Sequence, residues 1–128
     1  MQNPAGNTGD EKIAICALEG RISPRFDMTC EVLILDKSGP EKEPGEKMRL
    51  PLILPEDRLR ILVQKGVQLV IVGGIQERFQ QMFQRHNIEV IWGVMGEIED
   101  VIQAYSQGLL YSGVGPVPKP PGSRCPKE

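Results

Sequence analysis

The chain has 128 residues, 40% of them hydrophobic and 25% charged, with a formal net charge of -2. That length suits one domain and is short for two. The weak negative balance gives no field to draw in a polyanion or a membrane surface, so neither nucleic acid nor membrane is expected as a partner.

Met1 to Glu11 is rich in Asn and Gly and lacks the apolar stretch that secretion requires; it reads as a flexible N-terminal tail. Lys12 to Leu18 is nearly continuously apolar through Ile13, Ala14, Ile15, Cys16 and Ala17, which predicts a central strand buried on both faces. A loop from Glu19 to Asp27 follows, then a second strand over Glu31 to Asp36. The Lys, Glu, Gly and Pro mixture of Lys37 to Lys47 predicts a solvated turn. Met48 to Leu54 fits a third strand, placed at an edge because Pro51 has no donor for a central ladder.

Pro55 opens a helix, with Glu56 and Asp57 at its positive end, Leu59, Leu62 and Val63 on its buried face, and Lys65-Gly66 at the exit. Val67 to Val72 is the next strand. Gly73-Gly74 then leads into a helix from Ile75 to about His86, with Ile75, Phe79, Met82 and Phe83 at helical spacing. Ile88 to Trp92 is a further strand, and Glu97 to Gly108 a last helix presenting Ile98, Val101, Ile102 and Tyr105. Gly113 to Glu128 carries five prolines with Lys119, Arg124 and Lys127, and reads as a flexible C-terminal tail, leaving residues 12–112 as the folded domain.

Hairpin-type connections come first and crossover units second, which implies a mixed sheet with helices on its faces. With parallel strands at Lys12, Val67 and Ile88, the loops Glu19 to Asp27, Gly73-Gly74 and Gly93 to Gly96 share one sheet edge, where ligands of open α/β sheets usually bind. Three cysteines, Cys16, Cys30 and Cys125, are odd in number and widely spread. They fit free thiols in a reducing, cytoplasmic compartment, and no CxxC pair offers a ready zinc site.

The segments KIAICALEGRISPRFDMTCEVLILD, GVQLVIVGGIQERFQQMF and NIEVIWGVMGEIEDVIQAYSQGLL together span nearly all of Lys12 to Leu110. They resemble the dinitrogenase iron-molybdenum cofactor biosynthesis family, its NifX-type and NafY-type carriers and the C-terminal region of NifB-type proteins. The resemblance implies a three-layer α/β/α fold of ribonuclease-H-like topology, here with a mixed five-stranded sheet. It also implies a non-enzymatic carrier whose cargo is the iron-molybdenum cofactor or an iron-sulfur cluster precursor, and whose partners include cluster-assembly proteins. In relatives the loop after the first strand runs serine, a variable residue, histidine, phenylalanine, glycine; here it is Ser23-Pro24-Arg25-Phe26-Asp27. Arg25 stands where the histidine would be, and a guanidinium carries no lone pair for a metal. Some relatives have a cysteine just before the Gly-Gly turn, where this chain has Val72.

The loop therefore points to an anionic metal cluster or another small anionic ligand. Arg21, Ser23 and Arg25 would supply donors, Phe26 a wall, Gly73 and Gly74 close backbone approach at a helix N-terminus, and Cys30 the one nearby soft metal ligand. Each has a plainer alternative. Arg21 and Arg25 can form surface ion pairs with Glu19 and Asp27, Gly73-Gly74 can be only a tight turn, and Cys16, Cys30 and Trp92 can be packing residues. His86 suits a helix C-terminus, and Cys125 lies in the tail. Two other functions compete: an interaction domain without cluster binding, and a ribonuclease-H-like nuclease. Two-metal chemistry needs carboxylates converging on the central strand, and Lys12 to Leu18 has none.

Overall fold

A computed structural model of the chain describes residues 11–29, 31–36, 46–50 and 54–117. In chain order these form β1 (Lys12–Leu18), β2 (Arg21–Ile22), a 3-10 turn at Phe26–Met28, β3 (Glu31–Asp36), β4 (Glu46–Arg49), α1 (Pro55–Gln64), β5 (Val67–Ile71), α2 (Glu77–Arg85), β6 (Glu89–Ile91), β7 (Val94–Met95), α3 (Ile98–Ser106) and β8 (Gly115–Pro116).

The main sheet has the order β4-β3-β1-β5-β6, with β2 paired to β1 off that path. β1 runs antiparallel to β3 and parallel to β5, which in turn runs parallel to β6. The architecture is thus mixed α/β with a mixed sheet. Among the described residues it counts six strands rather than the expected five, because the stretch after β1 folds back as a tight hairpin instead of a plain loop. Ala17 pairs with Ile22 and Leu18 with Arg21, leaving Glu19 and Gly20 as a two-residue turn. Both have positive φ, 55° and 81°, as a type I′ turn requires. β4 lies at an edge as expected but a few residues earlier than Met48 to Leu54, and Pro51 is outside the described residues.

Period-two alternation divides the core. Ala14, Cys16, Val70 and Val72 face Leu59 and Leu62 of α1 and Phe79 and Phe83 of α2. Ile13, Ile15, Leu69 and Ile71 face Val101 and Ala104 of α3 on the other side. Burying a side chain of this size contributes about 1.5–3 kcal/mol, and β1 is buried on both faces. None of the described helices is long and apolar enough to cross a membrane.

One boundary moves. The tail expected from Gly113 onward is placed and paired as far as Val117: β8 runs parallel to β7, Val117 N–H donates to Met95 C=O (3.0 Å), and the Val117 side chain is buried. Residues 113–117 hold because they complete a second small sheet whose apolar side joins the α3 face of the core. The N-terminal residues 1–10 and the stretch 118–128, with Cys125, lie outside the described residues.

Candidate functional site

The C-terminal ends of parallel strands β1 and β5, with the turn after β6, open into a cleft of about 760 Å³. Its walls are mostly apolar: Leu18, Ile22, Pro24, Ile75, Trp92, Val94 and Met95, with Glu19, Arg21 and Gln80 as its polar side chains. Glu19 and Arg21 reach it because the type I′ turn projects the end of the β1–β2 hairpin over the sheet edge.

The stretch Ser23–Phe26, which contributes Pro24 to the cleft wall, is stapled to the Gly73-Gly74 turn by main-chain hydrogen bonds. Gly73 N–H donates to Ser23 C=O (2.9 Å), Gly74 N–H to Pro24 C=O (2.6 Å), and Phe26 N–H to Gly74 C=O (2.7 Å). A Cβ at Gly73 would lie 2.5 Å from the Ser23 carbonyl oxygen, so this approach admits only glycine.

Of the residues expected to form the site, Arg21, Gly73 and Gly74 line the cleft together. Arg21 is well exposed, and its nearest ionic partner, Glu97, is 4.0 Å away, the outer limit of an ion pair. The glycines approach the loop backbone rather than a ligand: both amide donors are already engaged, and α2 begins only at Glu77. Their expected role as anion-binding amides is corrected accordingly.

Ser23 is corrected too. It is fully buried, and its Oγ donates to Arg25 C=O at 2.7 Å, so it shapes the loop and faces no ligand. Phe26 is 1% exposed and packs on Phe79 (ring centroids 5.5 Å apart) and Phe83 (5.6 Å), so it anchors the loop in the core. Arg25 lies outside the main cleft, beside a smaller pocket of about 270 Å³ that it shares with Phe26, Asp27 and Gly74. There it forms a bidentate pair with Asp27, Nη2 to Oδ2 at 2.8 Å and Nε to Oδ1 at 3.1 Å, the plainer of its two readings. Cys30 lies outside the described residues.

Two features, Trp92 with Met95 and Arg58, escape a reading of the sequence, whereas the burial of Cys16 is as expected. Trp92 is 42% exposed and forms part of the cleft wall instead of filling the core, and Met95 beside it is 55% exposed. Their signal was present as WGVMG, where closely spaced glycines break the strand and turn its large side chains outward. Arg58, on α1, is buried; its Nη1 donates to Asp27 C=O, tying the loop to the helix, while its Nε has no partner. Cys16, in the middle of β1, is fully buried, and burial pushes its thiol up to about 12 despite the opposing Thr29 hydrogen bond and Arg58 charge. It is a packing group and no metal ligand. Among the described residues no group of three or more His, Cys, Asp or Glu converges as a metal site.

A mixed α/β domain with a ligand-sized cleft at the C-terminal edge of its parallel strands is the class that this fold and site define. The chain belongs to the dinitrogenase iron-molybdenum cofactor family, whose model matches residues 11–108. Its fold is similar to that of PH0822, a crystal structure with 26% identity and a TM-score of 0.73, over 80% of this chain and 95% of that one. A provisionally named NifB protein from Thermotoga, solved by NMR, is 20% identical with a TM-score of 0.64, over 80% of this chain and 92% of that one. The apo form of the orange protein from Desulfovibrio gigas is 18% identical with a TM-score of 0.66, over 82% and 94%. At such identities the last two speak for the fold alone. No curated protein matches the chain.

Proposed function

We propose that this chain is a non-enzymatic cytoplasmic carrier in iron-molybdenum cofactor assembly, holding the cofactor or an iron-sulfur precursor as cargo in the cleft between the β1–β2 hairpin and Trp92. The carrying observation is the coincidence of a cleft of about 760 Å³ with the C-terminal ends of parallel strands, in a chain of this family. The ribonuclease-H-like, three-layer arrangement of residues 12–112 belongs to the same reading. So does exchange of cargo with cluster-assembly proteins, without nucleic acid or membrane.

The donor set defines how such cargo is held. Arg21 offers an exposed guanidinium to the anionic surface of the cluster, Met95 a soft thioether, and Trp92 an apolar face. The described residues provide no cage of thiolates or imidazoles, so the cluster arrives with its own ligands and is bound through its outer surface. The absence of any carboxylate from β1 supports a binding role over nuclease chemistry.

Anaerobic incubation with preformed iron-molybdenum cofactor, or with a preformed iron-sulfur precursor, followed by removal of the unbound cluster, tests this reading. Stoichiometric iron with a visible chromophore is expected, reduced several-fold in Arg21→Ala and in Met95→Ala. A colourless protein without bound iron overturns it. The pairing of Arg25 with Asp27 favours a second reading, an interaction domain without cargo. A thermal-shift series separates the two, because a ligand that binds only the folded state raises the midpoint.

A further inference from the structure

The cleft has an apolar rim that exposes large side chains. Trp92 and Met95 expose large side chains side by side. Val117, the last described residue, is fixed at that same rim: its N–H is bonded to Met95 C=O, and its Cγ2 lies where a Cβ on Gly96 would come within 2.8 Å. Residues 118–128 follow as PKPPGSRCPKE. Pro118 has no N–H with which to extend the pairing of β8 with β7.

We propose that Pro118–Pro121 dock in the cleft against Met95 and Trp92, making the C-terminal segment an intramolecular ligand of the cargo-free protein. The segment Pro-Lys-Pro-Pro favours polyproline II, a conformation that aromatic-lined grooves bind at low entropic cost. The four residues Pro118–Pro121 extend about 12 Å at ~3.1 Å each in that conformation. Charge agrees with the placement. Lys119 is two residues beyond Val117, roughly 7 Å of chain, and this end of the domain carries two carboxylates, Glu19 on the cleft wall and Glu97 after Gly96, against the single guanidinium of Arg21, 4.0 Å from Glu97. Tethering supplies the population: at an effective concentration on the order of 1 mM, a contact with a Kd of about 0.1 mM is roughly 90% occupied. Docking of the segment does not rest on the cargo reading, since it concerns the protein without cargo.

Trp92 is the sole tryptophan in the chain, so its fluorescence reports the cleft directly. The comparison is between the full chain and a chain ending at Val117, which keeps β8 and the Val117 contacts. Covering half of the exposed indole should make acrylamide quenching about two-fold weaker in the full chain, with emission at shorter wavelength. A synthetic peptide of residues 118–128 should restore both values to the shortened chain. The full-length triple variant Pro118→Gly, Pro120→Gly, Pro121→Gly should behave like the shortened chain, which guards against misfolding of the truncation. Equal quenching in all forms overturns the proposal. Protection that disappears on dilution overturns it as well, because the occupant is then a second copy.

Discussion

Substitution of Gly73 by alanine tests the staple that builds the loop wall. An ideal Cβ there stands 2.5 Å from Ser23 O and 3.0 Å from both Pro24 Cα and Pro24 O, all backbone atoms that cannot rotate aside. Relief of such a contact, against an optimum of about 3.5 Å, separates the two segments by the better part of an ångström. That opens the bonds from Gly73 N–H to Ser23 O and from Gly74 N–H to Pro24 O, now 2.9 and 2.6 Å long. Two lost backbone bonds cost about 1–3 kcal/mol. The opposing gain from restricting the unfolded chain is about 0.4–1 kcal/mol, and it applies in full because the φ of Gly73 lies outside the left-handed region. With the residual clash included, the net expectation is a loss of about 2 kcal/mol, or roughly 8 °C in Tm at ~4 °C per kcal/mol for a domain of this size. Urea denaturation followed by circular dichroism measures it, with the midpoint falling and the m-value unchanged. A loss smaller than about 0.5 kcal/mol, or a gain, would refute the close-approach argument, since chain entropy would then dominate.

Other substitutions sort the loop residues by burial. Arg58→Ala should cost about 2–3 kcal/mol in chemical denaturation, because it removes a buried charged donor to Asp27 C=O; Arg25→Ala, which breaks an exposed pair, should cost less than about 1 kcal/mol. Equal effects would contradict these placements. Ser23→Ala should lose about 0.5–1.5 kcal/mol by removing the shorter of the two hydroxyl donors to Arg25 C=O, 2.7 Å against 3.3 Å for Thr29 Oγ1, and a neutral result in the same assay would show that Thr29 alone holds that carbonyl. Cys16 should resist alkylation in the native protein at pH 8 and react only on unfolding; labelling at the rate of a free thiol would show that β1 is open to reagent. Its pH dependence has a definite sign. The thiol is raised from 9.0 to about 12 in the folded chain, so its contribution is intact below pH 9. Above that the unfolded chain releases a proton that the folded one retains, and stability falls as pH climbs toward 12. Cys16→Ala should flatten that part of the profile.

The elements were legible in the sequence wherever periodicity was long. The continuous apolar run of β1, the Pro55 helix start and the Phe79/Phe83 spacing in α2 all appear where pattern placed them, as does the shared edge of β1, β5 and β6. Two-residue strands were not legible. β2 and β8 exist only through tertiary partners, and their residues carry no period of their own. The candidate site was read in position but not in role. A buried hydroxyl and a core phenylalanine look the same in sequence as a ligand donor and a cleft wall; burial separates them, and burial at Ser23 and Phe26 is set by Gly74 and α2, some fifty residues away. Trp92 erred in the opposite direction, because a residue after a buried strand reads as core until the glycine beside it turns the chain.

The staple between Ser23–Phe26 and Gly73-Gly74 is made wholly of main-chain atoms, and it divides the loop into framework and socket. Ser23, Phe26 and Gly73 are framework, each fixed by a buried contact. Position 25 is a socket, since the bonds on either side of it are indifferent to the side chain it carries. Arginine and histidine are therefore interchangeable there without rebuilding the staple, and the side chain set beside Asp27 can change its chemistry by a single substitution.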